Sequence, residues 1–227
     1  MKFKLLNYPK MTCPFKVRPF IGMNAKEARA YCDWFAGEMG NRIQILKGFY
    51  HETDGQGELD NTCESLTRLW EWTRGIVSLS PLTPHQLREL KKSSLNFIQI
   101  AREKGALVTD YHVKEVDRQS FGHGSLSEGS GVLCVDLGFY LTQMLIRRFP
   151  KLEWKVYRSR NSRDLYFNHP VLYFGLNKND YIVPHQSVKS RVARSLCSQE
   201  NLNVLAELYL MWVDRIEGRP LILEDEQ

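Results

Sequence analysis

The sequence predicts an α+β fold, a helical body with a small antiparallel sheet in the C-terminal half, from three observations. Apolar residues recur at three- and four-residue steps over several long stretches. The period switches to two immediately after Pro150. Turn-forming clusters then separate the short stretches beyond that point. No internal repeat or low-complexity tract interrupts the pattern, so one domain over residues 1–227 is expected. If two lobes exist, they divide near 106–127, with a helical lobe over 1–105 and a helix, hairpin and closing helix over 128–220.

Residues 1–22 carry Pro9, Pro14 and Pro19, which suits an extended arm lying on the surface. Asn24 followed by Glu27 reads as a capping box, after which Ala28, Tyr31, Phe35, Met39 and Ile43 mark one face of a long helix over 24–50. Gly37, Gly40 and Gly48 weaken it and allow a kink near Gly37–Gly40. The segment HETDGQGELDN is a polar loop. Leu66, Leu69, Trp70 and Thr73 form the face of a second helix ended by Gly75, with Trp70 and Trp72 pointing in different directions. Thr83, Pro84 and Gln86 give the cap, first position and capping-box partner of a third helix, ending at Gly105. Residues 106–120 fit strand and helix equally well.

Past the loop FGHGSLSEGSG, one of Ser125, Ser127 and Ser130 is expected to cap a nearly all-apolar helix over 128–149, the most buried of the molecule. Leu152, Trp154 and Val156 then alternate with Glu153, Lys155 and Tyr157, the latter set forming a wet face. RSRNSRD is a polar turn, and LYFNHPVLYFGL a second strand that Pro170 confines to an edge or bulge. DYIVPH adds a third short strand. Leu202, Leu205, Leu208, Tyr209 and Trp212 mark a closing helix ended by Gly218.

Composition narrows the class. Hydrophobic residues make up 43% and charged residues 25%, as in globular proteins. The longest apolar run, GVLCVDLGFYLTQMLI, is broken by Asp136 and Gln143 and falls short of the ~20 residues that span a bilayer. The first residues lack the apolar core of a secretory signal. A cytoplasmic protein with no membrane partner is expected. The five cysteines, Cys13, Cys32, Cys63, Cys134 and Cys197, show no paired spacing, so they read as reduced, buried side chains rather than disulfides or metal ligands.

The net charge of +5 is unevenly placed: Ile146–Arg194 holds eleven basic and three acidic residues, a balance of +8. Arg158, Arg160, Arg163, Arg191 and Arg194 within it are the candidate partner-binding residues, suited to an acidic protein, a phosphate group or nucleic acid. The aromatics beside them also match RNA-binding surfaces. Asp136, set in the apolar VLCVDLGFYL, needs a cation, and an arginine of the hairpin is the expected partner; a contact with a binding partner is the alternative.

Cys134, His185 and Asp136 have the residue types of a nucleophile, a base and an orienting acid. Burial of Cys134 argues against that chemistry, and no catalytic residue is assigned. His169 and His185 sit beside prolines at strand ends, without the third ligand a metal site needs. His112 and His123 are placed no better. No phosphate loop, dinucleotide fingerprint, zinc-protease motif or nucleophile elbow occurs, and GHGSLSEGSG lacks the lysine of a phosphate loop. No cofactor or metal is expected.

At MNAKEARAYCDWF, SLTRLWEW, VDLGFYLTQMLIRRFPKLEW and NHPVLYFG the chain resembles, in the same order along its length, a group of uncharacterised bacterial proteins. No activity or site residue comes with the resemblance, and the first helix begins with Asn24 where Thr is usual in that group. Small cytosolic proteins of this kind resemble immunity or accessory proteins of toxin systems. The functional expectation is therefore a non-enzymatic protein-binding module, with a nucleic-acid- or phosphate-binding protein second and an enzyme around Asp136 and His185 third.

Overall fold

A computed structural model describes residues 8–80, 83–85, 88, 92, 125–159, 166–175, 177, 180–198 and 203–219. The third helix expected over 83–105 lies mostly outside these residues, and the segment 106–120 wholly so. The chain enters as an extended strap with one turn of 3-10 helix at Phe20–Gly22. Helices α1 (Ala25–Glu52) and α2 (Cys63–Ile76) follow. Two-residue strands β1 (Leu79–Ser80) and β2 (Ser125–Leu126) pair antiparallel. Then come α3 (Glu128–Arg148), β3 (Glu153–Val156), β4 (Pro170–Tyr173), β5 (Tyr181–Ile182), α4 (Pro184–Ser198) and α5 (Val204–Ile216). The α+β class holds, with five helices and a three-stranded antiparallel sheet of order β3-β4-β5 among the described residues.

The helix starts follow local chemistry. Asn24 Oδ1 accepts from the Lys26 and Glu27 amides while Glu27 accepts from the Asn24 amide, the full capping box. α1 then continues through Gly37, Gly40 and Gly48 to Glu52. Thr62, Ser127 and Asn203 cap α2, α3 and α5 through their side chains. α2 runs past Gly75 to Ile76. Gly218, at φ +69°, ends α5 in the left-handed conformation that costs other residues dear.

α3 is the central element. It packs against α1, α4 and α5, and Leu133, Leu137, Leu141 and Leu145 are fully buried, each contributing about 1.5–3 kcal/mol by leaving water. Gly138 sets the distance to α4: a Cβ placed there would lie 2.9 Å from the His185 Cα. The main core takes in residues of all five helices and of the sheet.

Several expectations are corrected. α4 is a helix the sequence reading missed; its Val188, Val192 and Ser195 are buried at helical spacing, but intervening charges hid the face. β4 is the central strand of its sheet, not an edge. Pro170 is tolerated because it stands first in β4, opposite Val156, at a position that needs no donor. Tyr166 and Phe167 belong to the turn before β4 rather than to the strand. Tyr157, expected on the wet face, is buried in a second small cluster with Val171 and Val183 on the far side of the sheet. Of the cysteines, Cys32 and Cys134 are buried, whereas Cys13 is half-buried and Cys63 exposed.

Candidate protein-binding groove

Asp136 is completely buried, and its partner is not in the hairpin. Arg42 of α1, itself 2% exposed, donates from Nε to Oδ1 at 2.8 Å and from Nη2 to Oδ2 at 2.6 Å. The Tyr8 hydroxyl donates to Oδ2 at 2.5 Å. Arg42 also reaches the Lys10 carbonyl at 3.4 Å. Burial pushes the Asp136 carboxyl up against the opposing pull of Arg42 and Tyr8, and the carboxylate in turn holds the Arg42 guanidinium above its usual value. The triad ties the strap to α1 and α3, so Asp136 is interior and unavailable to a partner at the surface.

The other two members of the hypothetical catalytic set are interior as well. Burial pushes the Cys134 thiol up to about 12, far from the thiolate a nucleophile requires. His185 is depressed to about 3 by burial first, and its Nδ1 has no hydrogen-bond partner among the described residues. Asp136 gives its acceptors to Arg42 and Tyr8 rather than to this histidine. Among the described residues no group of three His, Cys, Asp or Glu side chains is arranged to hold a metal ion.

A surface groove of about 400 Å³ lies between the first half of α1 and β3. Ala25, Arg29, Cys32 and Asp33 line it from α1, and Trp154, Lys155, Val156 and Arg158 from β3 and its continuation. The capping box fixes where α1 begins and so places Arg29 and Asp33 one turn apart on the flank facing β3. Trp154 is wedged edge-on against Phe35 and Phe139, 5.5 and 6.3 Å between ring centres, which seats the strand on the core. Among the described lining residues three cations and one acid thus share the groove, and Lys155 also pairs with Glu153 at 2.8 Å. Cys32 is no nucleophile, since burial pushes its thiol up to about 11 and Asp33 adds to the shift.

Asn168 organises the adjoining surface. At φ +66° it adopts the left-handed conformation asparagine tolerates. Its Nδ2 donates to the Phe20 and Met23 carbonyls at 2.7 and 2.9 Å, and its Oδ1 accepts from Arg158 Nη1. Arg158 also lies 5.8 Å over the Phe167 ring. The strap carries Phe15 and Val17, each 40% exposed, and Ile21, 63% exposed. The Phe15 ring meets Trp34 of α1 edge-on at 6.3 Å.

Of the arginines singled out from the sequence, Arg158 lines the groove, and Arg160 and Arg163 lie outside the described residues. Arg191, half-buried, and Arg194, exposed, are on α4 and line no part of the groove. Arg29 and Lys155 were not singled out, because only the packing of α1 along β3 gives them a shared neighbourhood. No protein-family model, curated protein or solved structure matches the chain. Among the described residues α3 is the one helix long and apolar enough to cross a membrane, and 67% of its apolar window is buried inside the fold.

Proposed function

We propose that the protein is a non-enzymatic, cytoplasmic binding module whose partner is another protein, docked at the groove between α1 and β3. The observation that carries this reading is the groove's composition. Arg29, Lys155 and Arg158 converge on it with Asp33 as the one acid among the described lining residues, Lys155 being paired with Glu153 at its rim, and the exposed Phe15, Val17 and Ile21 lie on the strap that Asn168 ties to the same corner. Cations beside exposed apolar side chains suit a partner with acidic and apolar residues side by side. An immunity or accessory role in a toxin system fits the resemblance noted in the sequence, with a partner that is acidic at the point of contact. The interior positions and high thiol value of the Cys134 set weigh against an enzyme.

The test is recovery of a stoichiometric protein from the native host with wild-type bait and with the Arg29→Glu/Arg158→Glu variant. The wild type should retain a protein that the variant loses. Retention by both, or recovery of nucleic acid whose binding weakens steeply with salt, overturns the reading.

A further inference from the structure

We infer that the partner is held by strand addition: an extended acidic segment pairs with the outer edge of β3 and becomes the fourth strand of the sheet. The inference rests on the protein-binding reading above and adds how recognition works.

The backbone pattern carries it. Hydrogen bonds in an antiparallel pair alternate along each strand. At one end, the Tyr157 amide donates to the His169 carbonyl and the Asn168 amide to the Tyr157 carbonyl, both at 2.9 Å. Counting back along the register Val156↔Pro170, Lys155↔Val171, Trp154↔Leu172 and Glu153↔Tyr173, Lys155 and Glu153 also turn their backbone groups toward β4. The other side of β4 agrees: the Phe174 amide donates to the Asp180 carbonyl of the β5 segment, which assigns Leu172 to β5 and leaves Val171 and Tyr173 for β3. The amides and carbonyls of Trp154 and Val156 therefore point away from β4. Among the described residues no strand pairs with that edge.

The groove lies along this edge. Trp154 and Lys155 are neighbours in a strand, so their side chains point to opposite faces of the sheet. Trp154 packs on Phe35 and Phe139 on the helix side, while Lys155 sits 5.8 Å over the Tyr173 ring on the other. Both line one groove, which requires the groove to run past the edge itself. An incoming strand there meets two amides and two carbonyls together with cations on both faces, Arg29 and Arg158 on one and, on the other, Lys155, which Glu153 of the same strand pairs at 2.8 Å.

The charges choose the occupant. A second copy of this chain paired antiparallel about Lys155 would set that lysine against its own counterpart, and a lysine on an edge strand is one of the charges by which such strands avoid self-pairing. A segment with glutamate or aspartate at successive positions meets a cation on each face, and the main-chain bonds supply affinity independent of its other residues.

The test uses the full chain and a capped peptide of about eight residues, half glutamate and half valine, a length sufficient for strand addition. Amide exchange followed by NMR should show Trp154 and Val156 slowed about tenfold or more by the peptide. A form of the peptide N-methylated at every amide, which offers no donor on either edge, should not bind. Val156→Pro removes only an outward donor and should weaken binding about tenfold, with Val156→Ala staying close to wild type. The exchange and N-methyl arms decide even if Val156→Pro fails to fold.

Binding by the fully N-methylated peptide as tight as by the unmethylated one, or unslowed Trp154 and Val156 amides, overturns strand addition. If a host protein is still lost on Arg29→Glu/Arg158→Glu, the protein-binding reading survives that result. Protection of the same amides by self-association, without peptide, overturns the choice of an acidic partner. A peptide with lysine in place of glutamate that binds equally well does the same.

Discussion

Replacing Arg42 with methionine removes the cation from a carboxylate that has no exposed surface, and the cost can be bounded. Among the described residues Asp136 then keeps only the Tyr8 hydroxyl as a donor, and its other oxygen loses the Arg42 Nε bond. Removing one member of a buried ion pair typically costs about 3–5 kcal/mol, because the remaining charge is uncompensated. For a chain of this length that corresponds to a fall in melting temperature of roughly 10 °C. The double variant Arg42→Met/Asp136→Leu removes both charges and leaves the Tyr8 hydroxyl as the main orphan, a penalty of about 1–3 kcal/mol. The double variant should therefore be more stable than Arg42→Met alone, with a coupling of at least ~2 kcal/mol in the cycle. Urea denaturation of wild type, the two single variants and the double variant measures all four terms, provided the m-value is constant. A single-variant cost under about 1 kcal/mol, or additive costs, would refute the uncompensated-charge reasoning.

His185 gives a pH prediction. Its folded value of about 3 lies below the ordinary 6.5 because burial opposes the charged ring. Between those values the unfolded chain binds the extra proton, so its contribution is complete above pH 6.5 and falls by about 1.4 kcal/mol per pH unit on acidification. Denaturation across pH 4–7 should show a shallower slope for His185→Met, and an unchanged slope rejects the assignment. Gly138→Ala should destabilise by about 1–3 kcal/mol, since its methyl meets the backbone of α4. Gly40→Ala, in open space on α1, should stabilise by up to ~1 kcal/mol; thermal unfolding of the pair checks both signs. Asn168→Ala should cost about 2 kcal/mol through strain at positive φ and the lost bonds to the strap. It should also speed tryptic cleavage after Lys16, and unchanged cleavage would detach Asn168 from the strap's position.

Elements whose signals are local were legible in the sequence. The Asn24–Glu27 box marks the start of α1 to the residue, and the apolar density around Leu133–Leu145 identifies the helix that becomes the centre. Pairings across long separations were not legible. Asp136 clearly required a cation, but Arg42 lies 94 residues away on a face whose periodicity looks polar at that point. A nearby arginine of the hairpin was the natural choice, and it is the wrong one because the hairpin packs across α1 rather than beside the buried part of α3. Tyr157 keeps the face that the alternation assigns it, but Val171 and Val183 cover that face there. Asn168 at positive φ puts two residues, Asn168 and His169, opposite Tyr157, a bulge-like distortion that continues the pairing past the regular strand. The groove was invisible for the same reason as Arg42: Arg29 and Lys155 are 126 positions apart in the chain.

The two sets of charge have opposite physical roles, and that contrast supports placing the binding surface at β3. Arg42 is desolvated and bonds both carboxylate oxygens of Asp136, sharing Oδ2 with Tyr8, so moving any of the three leaves the others with an uncompensated desolvation cost. Such a cluster fixes the strap on the body. Arg29, Lys155 and Arg158 stand at the surface, where a cation costs little to keep and contributes little to folding. Arg158 is nonetheless held in place, between the Phe167 ring and the Asn168 carboxamide. An incoming carboxylate meets a guanidinium whose ordering cost is already met within the fold, and pre-ordering of that kind raises affinity without adding contacts. The same asparagine binds the strap through two backbone carbonyls. Through Asn168, the strap's exposed apolar side chains and the cation at the open edge of β3 are held in one fixed relation, as a surface that binds through charge, backbone and apolar contact together requires.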